Sequence, residues 1–205
     1  MFSSSWWVIL GYTVLTLALL IAFDIYIRAK VGEGLVGHGE FPKNLVWIRI
    51  VGLIGTWVVL LFIIGYLFYP GIINITFPVG ILRNSALEIA GILLIVVGWI
   101  SMVIAMLQLG LSARVYLPGQ KTGLITSGIY RFCRNPAYVG THLSFLGIFF
   151  LVPSLVYLIG FCLFVVYQHF RILQEERFLR GAFGAEYEEY FRKVGRYLPR
   201  ITRGQ

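Results

Sequence analysis

Three long, predominantly apolar runs constrain this chain more than any other feature: Trp6 to Ile27, Leu45 to Tyr69 and Leu87 to Leu109. A membrane-crossing helix needs about 20 predominantly apolar residues, and each run meets that length. Trp6, Trp7 and Tyr26 stand at the ends of the first run, where aromatic rings anchor a helix at the lipid–water boundary. The first run is longer than the roughly 7–15-residue core of a signal peptide and lacks a basic leader, so a retained helix is expected. A fourth apolar block, from Ala137 to about His169, is too long for one crossing and carries Pro153-Ser154 in its middle. It reads as a tight hairpin of two short helices. The expected fold is all-α: a polytopic membrane bundle of five transmembrane helices with a short hairpin of helices four and five and an amphipathic C-terminal tail.

Composition agrees with lipid as the main solvent. Of 205 residues, 59% are hydrophobic and 13% charged, about half the charged fraction of a soluble domain, which is about 25%. The net charge of +8 is therefore read against anionic lipid rather than nucleic acid, which is not expected as a partner. Basic residues cluster in the first loop, between the third and fourth helices and after Arg171, while the second loop holds Arg83. By the positive-inside rule the N-terminus lies outside, and the first loop, third loop and tail lie in the cytoplasm. Cys133 and Cys162 form neither a redox pair nor a metal-ligand spacing, and no metal site is expected. Nothing in the chain resembles an internal repeat or a paired interrupted helix.

The first three helices hold few reactive groups. Asp24 and Arg28 are spaced for an (i, i+4) ion pair, and Glu88 suits the positive start of a helix. His38 has no ligand set around it. Chemistry concentrates instead in two polar clusters. One is the stretch Lys121 to Tyr138, in which Gly123 and Gly128 permit backbone shapes that present amides and Asn135-Pro136 opens the next helix. An ordinary capped loop explains these residues equally well. The other is His169, Arg171, Glu175, Glu176 and Arg177, where the last apolar helix leaves the membrane. Arg171 and Glu175 share a helix face, and a plain surface ion pair is the competing explanation. After them comes an amphipathic segment broken at Gly184, with two placements open: on the membrane surface, which the pattern favours, or over the mouth of the bundle.

Together, Gly123 to Gly140, the acidic pair Glu175-Glu176 and Phe183-Gly184-Ala185-Glu186-Tyr187 closely resemble the isoprenylcysteine carboxyl methyltransferases. Membrane phospholipid methyltransferases carry a related pattern. The resemblance covers about the last 85 residues. It implies an S-adenosyl-L-methionine site without a Rossmann unit, and no Gly-x-Gly-x-x-Gly strand-turn-helix is present. It further implies cofactor contacts at Thr122, Gly123, Leu124, Ile125, Tyr130, Asn135, Pro136, Ala137, Tyr138 and Glu175, a substrate-side arginine at Arg171, and catalytic duty for Arg171, Glu175 and Glu176. Asn135 stands where the family usually has histidine, so proton transfer there is not expected. The implied division is a scaffold over residues 1–110 and a catalytic region over 111–205. The implied partners are a lipophilic or lipidated small-molecule acceptor and membrane lipid, at the cell membrane of a prokaryote or the endoplasmic reticulum of a eukaryote. Oligomeric state is open. Three other readings share these features: a phospholipid N-methyltransferase, an NADPH-dependent sterol-type reductase, and a non-catalytic protein of the same fold.

Overall fold

The computed structural model describes residues 3–31, 46–110 and 123–200. They form helices α1 (Ser4–Val31), α2 (Val46–Phe68), α3 (Ile72–Ile75), α4 (Ser85–Leu109), α5 (Pro136–Leu151), α6 (Leu155–Phe183) and α7 (Ala185–Lys193). Helices α1, α2, α4 and α6 are each long and apolar enough to cross a membrane. Trp57, Leu61, Val97 and Ile159 remain more than half exposed, at 59%, 60%, 56% and 53%. Spread over the sides of the bundle, such side chains suit a lipid-facing surface.

Glycines let the helices approach. In α4 and α5, Gly91 faces Gly147 and Gly98 faces Gly140, so that a Cβ added at any of the four would collide with the opposing backbone oxygen. Ser144 Oγ donates to the Ile95 carbonyl across the same seam at 3.4 Å. In the second pair, Gly52 of α2 receives the Tyr167 ring of α6, and Gly55 lies against Gly160 and Leu163. Two helices in lipid gain little from hydrophobic burial, so close backbone contact through small residues supplies much of their association.

The loops fix which ends lie together. Ser4 and Ser5 donate from their hydroxyls to Glu88 Oε1 at 2.7 and 3.1 Å, and Trp6 Nε1 donates to the Leu67 carbonyl at 2.9 Å. At the α5–α6 turn, the Val79 amide donates to Pro153 and the Leu155 amide to Phe77, each at 3.0 Å. The start of α1, the exit of α2, the start of α4 and the hairpin turn therefore share one end. The opposite end collects the exit of α4, the loop into α5, the exit of α6 and α7. Every polar cluster read from the sequence that falls on described residues lies at this second end. Glu88 keeps its place in the first turn of α4, whose N-cap is Asn84, accepting from the Leu87 amide at 3.0 Å. The Arg28 side chain, His38 and Thr122 lie outside the described residues.

Two expectations change. The hairpin has one short arm, not two: α5 has 16 residues, about 24 Å at about 1.5 Å per residue, whereas α6 continues unbroken for 29 residues through the whole polar cluster. Neither Gly nor Pro interrupts the stretch from Phe161 to Arg180, so the helix passes from apolar to polar side chains without a stop signal. It ends at Gly184, where φ is +52° and the backbone turns into α7. The second change concerns the tail, which folds over the polar end of the bundle instead of lying away from it. Tyr187, Tyr190 and Val194 are buried there together with Leu124, Leu179, Phe183 and Phe191.

Candidate active site

The loop entering α5 is tied down on both sides. Gly128 adopts φ +60° against the Gln108 side chain, and Gln108 Oε1 accepts from the Ile129 amide at 2.8 Å. Tyr130 is buried with its hydroxyl toward the Ala105 carbonyl of α4 at 3.3 Å. Its own carbonyl accepts from Tyr190 Oη at 2.7 Å. Burial raises the pKa of both phenols above the ordinary tyrosine value, which keeps them protonated donors at neutral pH. Pro136 occupies the first turn of α5, where its missing N–H costs nothing. The Pro136 carbonyl accepts from Ser101 Oγ at 3.2 Å.

The acidic pair divides into two separate sites. Neighbouring residues on a helix of about 3.6 residues per turn point about 100° apart, and Glu175 and Glu176 use that angle to serve different partners. Glu176 is buried, and both of its oxygens are taken. Arg134 donates to Oε1 from Nε and one terminal nitrogen at 3.1 and 2.9 Å. Arg196 donates from Nε at 3.0 and 3.1 Å and from its terminal nitrogen at 2.7 Å. The second terminal nitrogen of Arg134 reaches the Val194 and Phe191 carbonyls at 2.5 and 3.0 Å. Arg134 and Arg180 each lie 4.1 Å from the centroid of the Phe191 ring. The hydrogen bonds that Arg196 donates to Glu176 hold its pKa above the ordinary value. Asn135 joins the same assembly, its Nδ2 donating to the Arg196 carbonyl at 3.2 Å. The loop, the exit of α6 and the tail are thus fastened by one carboxylate between two guanidiniums.

Glu175 faces elsewhere. Tyr138 Oη donates to its Oε1 at 2.5 Å, and Arg171 lies 3.6 Å from the same oxygen. The Arg171 and Glu175 side chains keep 45% and 25% of their surface exposed. Arg171 is the more open member of this half-buried pair, and burial raises the pKa of the Glu175 carboxyl above its ordinary value, so Arg171 remains able to engage another anion.

Of the residues singled out by sequence, Tyr138, Arg171 and Glu175 come together as a partly open polar group. Asn135 caps the start of α5, Pro136 and Ala137 form its first turn, and Tyr130 is buried in the loop before it. Leu124 packs against the tail cluster, and Gly123 and Ile125 lie in the adjoining irregular segment of the loop. Glu176 belongs to the fastening, away from the Tyr138–Glu175 contact. Sequence reasoning passed over Arg196, His142 and Tyr197, and gave Arg134 no role. Glu176 and Arg196 are 20 positions apart, so no helical spacing relates them. For Arg134, its place directly before Asn135-Pro136 was the available signal.

The group fits the chemistry of S-adenosylmethionine, which carries a sulfonium, an ammonium, a carboxylate and ribose hydroxyls. Glu175 would complement the cationic and hydroxyl groups and Tyr138 would offer an aromatic face, which leaves Arg171 free for an acceptor anion.

Residues 87–186 match the family model described as phospholipid methyltransferase. A probable protein-S-isoprenylcysteine O-methyltransferase of Oryza sativa subsp. indica is 35% identical over 117 residues, covering 54% of this chain and 60% of that protein. The chain thus spans less than two thirds of that relative's length. The protein-S-isoprenylcysteine O-methyltransferase of Rattus norvegicus is 27% identical over 205 residues, covering 98% of this chain and 68% of its own. In fold, the chain resembles the solved structure of a eukaryotic intramembrane Ras methyltransferase, isoprenylcysteine carboxyl methyltransferase. The TM-score is 0.55 at 20% identity, over 93% of this chain and 66% of that one. Residues 87–186, which carry Tyr138, Arg171 and Glu175, are thus similar to the phospholipid methyltransferase family, and the resemblance to isoprenylcysteine O-methyltransferases read from the sequence agrees with these matches.

Proposed function

We propose that this chain is an integral-membrane, S-adenosylmethionine-dependent methyltransferase that esterifies the carboxylate of an isoprenylcysteine-like lipophilic acceptor. The observation that carries the reading is the Tyr138–Glu175–Arg171 group at the polar end of the bundle, inside the segment that matches a methyltransferase family. Residues 1–110 act as scaffold and 111–205 as the catalytic region. The polar end faces the cytoplasm, on the strength of the basic residues gathered there.

The cofactor, when bound, supplies a methyl group on sulfur that transfers to a carboxylate oxygen, with the electrons of the broken C–S bond remaining on sulfur. An acceptor carboxylate is already ionised at neutral pH, so no base is needed. The chain's work is alignment and exclusion of water. Glu175 receives cofactor hydroxyl or ammonium groups, held in place by Tyr138. Arg171 orients the acceptor carboxylate. Gly123, Leu124, Ile125, Tyr130, Asn135, Pro136 and Ala137 would shape the cofactor's surroundings, and the resemblance adds Thr122 to this set. Glu176 serves as a positioning residue, fixing the tail against that loop.

The test is a binding and turnover pair on the purified protein. S-adenosylhomocysteine should stabilise the wild type in a thermal-shift assay and stabilise Glu175→Gln much less. Labelled S-adenosylmethionine should methylate N-acetyl-S-farnesylcysteine, and Arg171→Ala should raise KM for that acceptor while sparing cofactor affinity. Labelled phosphatidylethanolamine with an inert farnesylcysteine would transfer the reading to phospholipid N-methylation. Stabilisation by NADPH alone would transfer it to a reductase, and stabilisation by neither cofactor would end the enzymatic reading.

A further inference from the structure

Arg171 stands on a face of α6 that also holds Tyr167 and Gln174. The three recur at spacings of four and three, so they lie one above another on the helix, with about 5–6 Å between neighbouring Cβ atoms. Helix α2 runs antiparallel along this face. Gly55 meets Gly160 and Leu163, and Gly52 meets the Tyr167 ring, while Ile48, one turn nearer the polar end, is 2% exposed. Arg171 sits among Tyr138, Glu175 and Tyr167, with 45% of its side chain open.

Gln174 is the unsettled member of this face. Its Nε2 is buried and has no hydrogen-bond partner among the described residues. The nitrogen of a primary amide only donates, and a buried donor left unmet is costly, so it calls for an acceptor oxygen. The neighbouring carboxylates are engaged elsewhere: Glu175 is turned to Tyr138 and Arg171, and Glu176 is held by Arg134 and Arg196. One turn from Gln174, Arg171 keeps its guanidinium half open. An unmet amide donor beside an open guanidinium is a donor set without an oxygen to receive it. A carboxylate completes such a set, since its two oxygens offer about four lone-pair sites, enough for both side chains. A protonated amine brings further donors and satisfies neither.

From this juxtaposition we infer that Gln174 is a second acceptor-binding residue, donating from Nε2 to the acceptor carboxylate beside Arg171. The inference rests on the reading of the site as a carboxylate methyltransferase. Two donors on one carboxylate fix its orientation toward the methyl group. Because the second donor is neutral, its hydrogen bond is the weaker kind, and more negative charge stays on the attacking oxygen than beside a second cation. Gln174 thus narrows the acceptor to lipophiles whose reacting group is an oxyanion rather than an amine.

The experiment follows methyl transfer from labelled S-adenosylmethionine to N-acetyl-S-farnesylcysteine by the purified full chain in phosphatidylcholine nanodiscs. Inhibition is measured beside it with the alcohol analogue, in which a hydroxymethyl group replaces the carboxylate. Gln174→Leu should raise KM for the acid about tenfold, the equivalent of one lost hydrogen bond to a charged group, and change the Ki of the alcohol by less than about threefold. Gln174→Glu, which puts a second negative charge beside the acceptor, should raise KM further. Stabilisation by S-adenosylhomocysteine should match the wild type in each variant, which also identifies the variants that fold. Gln174→Asn keeps an amide on a shorter stem and should fall between the wild type and Gln174→Leu, so it carries the same comparison if the leucine variant folds poorly. Equal weakening of acid and alcohol is what a packing role predicts, and it would overturn the inference. So would an unchanged KM in Gln174→Leu, or a Gln174→Glu variant as active as the wild type. Absence of methyl transfer by the wild type overturns the carboxylate reading itself, whereas transfer indifferent to Gln174 overturns the inference alone.

Discussion

Glu175 and Glu176 are adjacent, alike in chemistry and predicted to fail in different ways when each is changed to glutamine. The Glu176 side chain is 6% exposed and is held by Arg134, itself 5% exposed, and by Arg196, 29% exposed. Removing one member of a buried ion pair costs about 3–5 kcal/mol, because the remaining charge is left without compensation. Arg196 recovers part of its hydration. Arg134 keeps the Val194 and Phe191 carbonyls and the Phe191 ring, so the low end, about 3 kcal/mol, is expected for Glu176→Gln. That energy falls on the docking of the tail, since the carboxylate joins α6 to Arg134 and Arg196. About 3 kcal/mol is about a hundredfold in an opening equilibrium. Amide exchange over residues 185–196 should therefore accelerate about a hundredfold in Glu176→Gln, while α2 and α4 keep their protection. In Glu175→Gln the same amides should change by less than about fivefold, because the lost Arg171 contact joins two residues of α6, reaches no part of the tail and is worth about 1 kcal/mol or less. S-adenosylhomocysteine binding should nevertheless collapse in that variant. Equal exchange in the two variants, or unchanged tail protection in Glu176→Gln, would refute the division of the acidic pair into one cofactor carboxylate and one fastening carboxylate.

Further predictions concern the frame. Gly98→Val should push α4 from α5 where Gly98 meets the Gly140 carbonyl, lowering stability by about 1–3 kcal/mol, read as an earlier thermal transition in detergent. Gly184→Ala forces a side chain into φ +52° and should cost about 1–2 kcal/mol, visible as faster exchange in α7 with the transmembrane helices unchanged. Tyr187 Oη is buried without a hydrogen bond among the described residues, so Tyr187→Phe should be neutral or stabilising by about 1 kcal/mol, measured by the same exchange. Burial pushes the Tyr187 pKa from 10.0 up to about 12. Its folded value thus exceeds its unfolded one, and the stability linked to it is complete below pH 10 and lost as pH rises through about 12. Proteolytic release of the tail should accelerate over that window in the wild type and much less in Tyr187→Phe.

The number and place of the long apolar helices were legible without coordinates, because the requirement to satisfy every backbone group in lipid leaves one solution for an apolar run of that length. So were the meeting of Arg171 with Glu175, a spacing local to one helix, and the turn at Gly184, whose residue type suits its positive φ. The uninterrupted length of α6 was obscured by Pro153, which marks the turn but says nothing about how far the next helix runs. What the sequence left open was long-range. Glu176 and Arg196, or Tyr138 and Glu175, are separated by 20 and 37 positions, and no periodicity links such pairs. The folding of the tail over the bundle and the assignment of different partners to two neighbouring glutamates follow from how helices dock. Local hydrophobic pattern determines that a helix forms and enters the membrane. Only packing between distant segments decides which of its polar side chains are fastened to one another and which are left to meet a ligand.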